Sequence, residues 1–312
     1  MPVLLLAASI VWVFVFFLPG DPARLIAGGA SADPDVLESI RQEWGLDRPA
    51  PLQYLLYLGK LVRFDLGTSY VQRRPVAAII ADHFPPTFIL AVAAVLLAAG
   101  GGLLLGSLAA LYRDRLVDSL VLVLALLGTS LPVFWLGLIL MLLFASHLEW
   151  LPVLGYGMDG AFLPFTSIRL PEWDHLVLPA VTLSLVSMGA FARITRASLI
   201  EAGTADFLQT ARAKGASAAR VFARHALQNA LIPVVTVVGL DFAGLLGGAV
   251  ATEYVFAWPG LGKTIVRAIG LRDLPVVEGG VLFLTAIFVL VSLAVDLAYL
   301  YLDPRVHYTH AG

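Results

Sequence analysis

The chain has 312 residues, of which 59% are hydrophobic and only 13% charged, with a mean hydropathy of +0.88. That leaves too little polar surface to solvate a soluble domain of this size, so composition points to a polytopic helical membrane protein. The formal charge of −2 selects no class of partner, and the absence of cysteine removes disulfides, thiolate metal sites and cysteine nucleophiles.

Residues 3–18 are the first candidate span, at the short end of what a hydrocarbon core about 30 Å thick requires. They lack a basic leading segment and a clear small-residue cleavage site, which favours a retained helix over a signal peptide. Residues 19–85 are the one sizeable polar region. Within it, DPDVLESIRQEWG (33–45) offers Asp33 as N-cap, Pro34 at the first helical position and Gly45 as stop. Val36, Leu37, Ile40 and Trp44 share one face, so a short amphipathic helix is expected. Residues 53–62 repeat the habit with Tyr54, Leu55, Leu58 and Val62. Both helices are expected to lie against the membrane surface or the bundle.

The next span, 87–111, contains Gly102 and Gly106 in a G-x-x-x-G spacing that admits a second helix at close range. Residues 112–115 make a tight basic turn, assigned to the cytoplasm by the positive-inside rule. Residues 116–146 are too long for one straight span and too short for two, and Thr129, Ser130 and Pro132 suggest a kink. Six of the twenty Lys and Arg residues lie between Arg193 and Arg224. Counting 116–146 as one crossing keeps that stretch on the same side as Arg113 and Arg115, as charge requires. The remaining path is an external loop over 147–175, a return at 176–194, an outward span at 231–251, an external loop over 252–278 and a last span at 280–302.

The expected fold is therefore all-α and polytopic, with six transmembrane helices and both termini inside. An external region separates helices 1 and 2, and a cytoplasmic loop separates helices 4 and 5. By domain, residues 1–18 are the first helix, 19–85 the external region, 86–302 the core and 303–312 a cytoplasmic tail.

The cytoplasmic loop DFLQTARAKGASAARVFARHALQNALIP (206–233) reads as helix, break, helix. Gly215 suits the left-handed position after a helix end, Ser217 suits a cap, and Pro233 stands at the entrance to the next apolar run. A basic hairpin of this kind is either a solvated connection or a docking element for a soluble partner.

Gln209, Thr210 and Ala211, followed after three spacers by Gly215 and later by Ile232 and Pro233, resemble the "EAA" loop of permease subunits of ABC importers. ARAKG and RHALQNALIP are similar to the dipeptide, oligopeptide and nickel branch of that family. LPGDP, GLDRP and DLGTS resemble the branch's external region, and LAYLYLDPR (297–305) extends the likeness over nearly the whole chain. The resemblance implies that residues 206–220 are the coupling helices seated in a groove of an ATPase subunit. Asp206, Gln209, Thr210, Ala211, Lys214, Gly215 and Ser217 would be the coupling residues. Gln209 departs from the family's glutamate, so no salt bridge is expected from that position. The partners implied are a second homologous permease, two cytoplasmic ATPase subunits, an external solute-binding protein and the lipid of the inner (cytoplasmic) membrane. Peptides or a related solute would be the cargo, which the sequence does not name. The rival reading is a self-sufficient secondary transporter or channel, which predicts intramembrane ion-binding carboxylates and internal repeats. The sequence has no clear repeat and only scattered carboxylates.

AWPGLGKT (257–264) satisfies the relaxed phosphate-loop pattern at Lys263 and Thr264. A phosphate loop needs a buried strand before it and a helix after it, and here the preceding residues end a membrane helix. GGAVATEYVFAWPGLG (247–262) instead resembles the family's signature after the fifth helix, a re-entrant or external turn lining the translocation path. Asp241 and Asp296 are carboxylates within spans, and Glu253 lies near a helix end. Asp241 is either a lining of the pathway or a carboxylate paired inside the bundle; Asp296 is read as structural. Asp241, Gly244, Gly248 and Glu253 are the candidate lining residues, with Gly244, Gly247 and Gly248 expected to allow close packing. His307 and His310 lack a third ligand, so no metal site is expected. No catalytic residues, cofactor or nucleic-acid partner are expected.

Overall fold

The computed structural model describes residues 2–17, 23, 34–44, 47–157, 170–203 and 227–302. Among them regular structure is helical apart from one isolated bridge, Thr68 to Pro75. Helices α1 (Pro2–Phe17), α2 (Pro34–Trp44) and α3 (Ala50–Val62) precede the long α4 (Val76–Leu111). Next come α5 (Leu116–Ser130) and α6 (Val133–Leu140), the latter widening into a π-helical stretch, Met141–His147. The order closes with α7 (Trp173–Gly203), α8 (Leu227–Gly248), α9 (Val250–Val255), α10 (Leu261–Leu271) and α11 (Leu274–Leu302).

Among the described residues three stretches are long and apolar enough to cross a membrane: Val76–Leu111, Trp173–Gly203 and Leu274–Tyr299. Helices α5 and α6 form a further candidate, bent by 107° at their break, while α1 and Pro233–Gly247 are shorter apolar helices. Leucines such as Leu96, Leu104, Leu124 and Leu290 stand exposed on these helices. A helix surface of that kind is at home in acyl chains or against another apolar helix.

The sharp bend replaces the single kinked helix expected over 116–146. Pro132 has no N–H to donate and disfavours the helical region for the residue before it. Leu131 is extended at φ −88, ψ 137 and Pro132 at φ −60, ψ 131, so two consecutive residues leave the helix and redirect the chain. The hydroxyls of Thr129 and Ser130 donate back to Leu126 O at 3.0 and 2.8 Å, so both find a partner on their own helix just before the break.

The chain divides into two compact units. The first comprises Met1–Pro85 and Pro259–Ile287. Its core joins Val76, Ile79 and Ile80 of α4 to Leu261, Ile265 and Ala268 of α10 and to Val276 and Leu284 of α11. The i, i+4 and i, i+7 spacing on α10 puts its three residues on one stripe, as an amphipathic helix requires. The segment before α4 is held by Asp273, which accepts hydrogen bonds from the Ser69 hydroxyl and from Tyr70 N at 2.9 Å. Helix α3 meets α1 where Tyr54 stands edge-on to Trp12 and shares a 2.7 Å hydrogen bond with Ser9. Burial, and secondarily the Glu278 carboxylate, pushes the Tyr57 and Tyr70 hydroxyls above the ordinary tyrosine range, so both stay protonated in alkaline solution where exposed tyrosines ionise.

The second unit comprises Pro86–Trp258 and Phe288–Gly312. Here the expected G-x-x-x-G contact is made: Gly102 and Gly106 of α4 face α7 at Phe191, Ala192 and Thr195. A Cβ on Gly106 would lie 2.5 Å from Ala192 O, a distance that only glycine tolerates. Helix α5 meets an adjacent face of α7 through Gly128, set against the backbone of Leu185, and through Ala125, set against Gly189. Ala109, Val121 and Ala192 close the three-helix contact as a small buried cluster.

Several helices outrun their expected limits. Helix α4 starts at Val76 rather than 87 and runs through Pro85 and Pro86, and α11 starts at Leu274 rather than 280. Most of the loop expected over 252–278 is taken up by α9, α10 and the start of α11.

Candidate functional site

Two groups of residues carry the functional expectations. Asp206, Gln209, Thr210, Ala211, Lys214, Gly215 and Ser217 lie outside the described residues, as do His307 and His310; the described chain stops at Gly203 on α7 and resumes at Leu227 on α8.

The candidate lining residues lie on α8 and α9. Asp241 and Gly244 are three apart and share a face of α8. Asp241 is half-buried, near Ser187 of α7, and its Oδ2 has no hydrogen-bond partner among the described residues. Gly244 and Gly247 are exposed, and a Cβ at either would meet nothing within 4 Å. Among the described residues, the close packing expected at Gly244 and Gly247 is not made. Gly239 makes it instead, against Val295 of α11. Helix α8 thus presents beside Asp241 a smooth strip of backbone that another surface can approach.

Glu253 differs from the other three. It is fully enclosed and accepts a 2.6 Å hydrogen bond from Thr87 Oγ1. Trp258 is equally enclosed; its indole N–H donates to Pro86 O at 3.0 Å, and its backbone N–H donates to Glu253 O at 2.8 Å. Tyr156 packs edge-on to its ring at 4.6 Å. Helix α9 and the turn after it therefore clasp α4 at Thr87 and Pro86 through one carboxyl group and one indole. Losing one partner of a buried hydrogen bond costs about 1–3 kcal/mol, so Thr87→Val is expected to lower the thermal midpoint of the purified protein while Thr87→Ser keeps it.

AWPGLGKT is built as a helix start. Residues before it form α9, not a strand, and Thr264 Oγ1 donates back to Gly260 O at 2.9 Å within α10. Its hydroxyl is thus spent on its own helix. Glu172, Asp174 and His175 bring potential ligand atoms within 4.8 Å of one another, and a 3.8 Å approach of His175 Nε2 to Glu172 accounts for much of that grouping without an ion.

One polar constellation escaped the sequence reading. Asp118, in the first turn of α5, accepts two hydrogen bonds from the Arg196 guanidinium of α7, each 2.6 Å. The carboxylate is almost wholly buried, with 4% of its side chain exposed, and the guanidinium 22%. Asp118 also receives the backbone N–H of Asp114 at 3.0 Å, fixing the turn between α4 and α5. Charge and topology held the signal: both residues fall at span ends assigned to the same face, one acidic and one basic.

Comparison with known proteins shows what kind of molecule carries this arrangement. A family profile described as "Binding-protein-dependent transport system inner membrane component" matches residues 102–308, and one described as its N-terminal membrane component matches residues 1–91. The chain is 42% identical over 307 residues to the glutathione transport system permease protein GsiC of Salmonella paratyphi A, covering 98% of this chain and 95% of that protein. It is 41% identical over the same length and shares to GsiC of Escherichia coli K12. Among solved structures, a chain of the MetNI methionine ABC transporter in an inward-facing conformation matches with a TM-score of 0.56 at 16% identity, covering 73% of this chain and 97% of that one. An amino acid ABC transporter chain matches with a TM-score of 0.51 at 13% identity, covering 74% and 95%. At such identities the structural matches speak for the fold alone: an ABC transporter permease fold. With both profiles and near-full-length relatives in agreement, the chain belongs to the family of inner membrane components of binding-protein-dependent transport systems, the permease subunits of ABC importers.

Proposed function

We propose that this chain forms, with a second permease of similar fold, the translocation path for a short peptide of glutathione's size and polarity, driven by two cytoplasmic ATPase subunits and fed by an external solute-binding protein. The observation that carries the solute class is the near-full-length identity to glutathione permeases. Six crossings are supported by the three long spans, the bent α5–α6 pair and the two shorter apolar helices. Residues 206–220 transmit ATPase closure to the ends of α7 and α8, which flank them in sequence, and the helices shift as rigid bodies to open the path alternately to each side. The strip of α8 holding Asp241, Gly244 and Gly248 lines that path: Asp241 offers a polar group, and Gly244 leaves room beside it. Glu253, enclosed against Thr87, shapes the wall from behind.

Purification from the native membrane, followed by reconstitution into vesicles, tests this reading. ATPase subunits should copurify, and glutathione uptake should require ATP inside the cytoplasmic-side compartment and loaded binding protein outside. Uptake driven by an ion gradient, with no ATPase subunit bound, would establish the secondary-transporter reading instead.

A further inference from the structure

We propose that the Arg196–Asp118 pair is a positioning contact for transport, which locks α7 in register with α4 and α5 so that displacement of residues 206–220 moves the three helices together. The inference rests on the coupling role proposed above for those residues, and it adds two side chains that neither the motif nor the family match singles out.

The argument starts from what the rest of the interface does. Helix α7 touches α4 at Gly102 and Gly106 and α5 at Ala125 and Gly128, contacts between small residues and backbone. Such contacts bring helices close, but their smooth surfaces let one helix slide along another, the shear motion common in packed helices. A guanidinium holding a carboxylate through two parallel hydrogen bonds has a fixed fork geometry and resists both sliding and rotation. In this molecule that one fork stands at the end of the three-helix contact, on the last turns of α7 before residues 206–220. The same carboxylate takes the Asp114 N–H and so grips the turn joining α4 to α5. Arg196 therefore holds α5 directly and, through the Asp118 carboxylate, the turn that joins α5 to α4.

A buried ion pair is poor evidence for stability, because apolar side chains of similar volume hold helices as well or better. What the pair adds is register, and register is what a mechanical linkage needs.

The test compares Arg196→Gln, Asp118→Asn, their combination and Arg196→Lys in the reconstituted complex with its ATPase subunits and binding protein, reading solute moved per ATP hydrolysed. Each uncharged variant is expected to lower that ratio about tenfold, within the range one allosteric contact carries, while hydrolysis continues. The double variant should fall no further than either single one, and Arg196→Lys, which keeps the charge but not the fork, should lie between. A structural role alone would lower the amount of complex and leave the ratio unchanged. Parental ratios in all variants, or single losses that multiply in the double variant, would overturn the proposal while leaving the functional reading intact. Failure of all four variants to assemble would also overturn it, marking the pair as a folding contact. A parental complex that retains no ATPase subunit would remove the functional reading, and this inference with it.

Discussion

Gly215→Arg is expected to cut solute uptake by about a hundredfold while the assembled complex goes on hydrolysing ATP, a loss at the upper end of what coupling between two sites supports. The sequence around it reads as helix, break, helix, with Gly215 at the position after a helix end that takes left-handed backbone. In left-handed backbone of the kind this sequence predicts, a side chain costs about 1–2 kcal/mol, and arginine adds bulk and charge to a segment proposed to sit in another subunit's groove. Uptake and ATP hydrolysis measured on the same vesicles, at matched amounts of complex, check the prediction. Loss of both together would mean that the variant no longer assembles, and unchanged uptake would remove the coupling role from this residue.

Gly106→Leu should destabilise the second unit and reduce the amount of complex in the membrane, whereas Gly100→Leu on the same helix should not. At Gly106 a Cβ alone lies 2.5 Å from the backbone oxygen of Ala192 and 2.6 Å from Thr195 Cβ, so α4 and α7 must separate to admit it. At Gly100 a Cβ meets nothing within 4 Å, and replacing a helical glycine there gains up to about 1 kcal/mol of propensity. Overpacking of this kind costs about 1–3 kcal/mol for a few methylenes, and a full leucine against backbone lies at or above that range. The thermal midpoint in detergent and the membrane abundance should both fall for Gly106→Leu and should rise or stay unchanged for Gly100→Leu; an unchanged Gly106→Leu would contradict the packing account.

How far the sequence disclosed this molecule follows from what each signal depends on. The amphipathic helix Pro34–Trp44 was legible because a proline start, an apolar stripe and a glycine stop are all local. The G-x-x-x-G contact was legible because small residues in an apolar span have few other uses. Helix ends were poorly legible at prolines: Pro85 and Pro86 read as a boundary, yet α4 runs through them, with the Trp258 indole bonding Pro86 O. The bend at Leu131–Pro132 was placed but its size was not, since a kink and a reversal share the same residues. Glu253 was read as a lining group because a carboxylate near a span is costly; its partner Thr87 lies 166 positions away in sequence, beyond any periodicity argument. Asp118 and Arg196 were missed for the same reason, with 78 positions between them.

The coupling claim has a direct topological test, made clean by the absence of native cysteine in this chain. With Lys214→Cys as its single thiol, a membrane-impermeant maleimide should leave the chain unlabelled in intact cells and label it in inverted membrane vesicles. Removing the ATPase subunits should increase that labelling. Labelling of intact cells at this position would put residues 206–220 outside and so remove the contact through which cytoplasmic ATP hydrolysis is proposed to drive the chain.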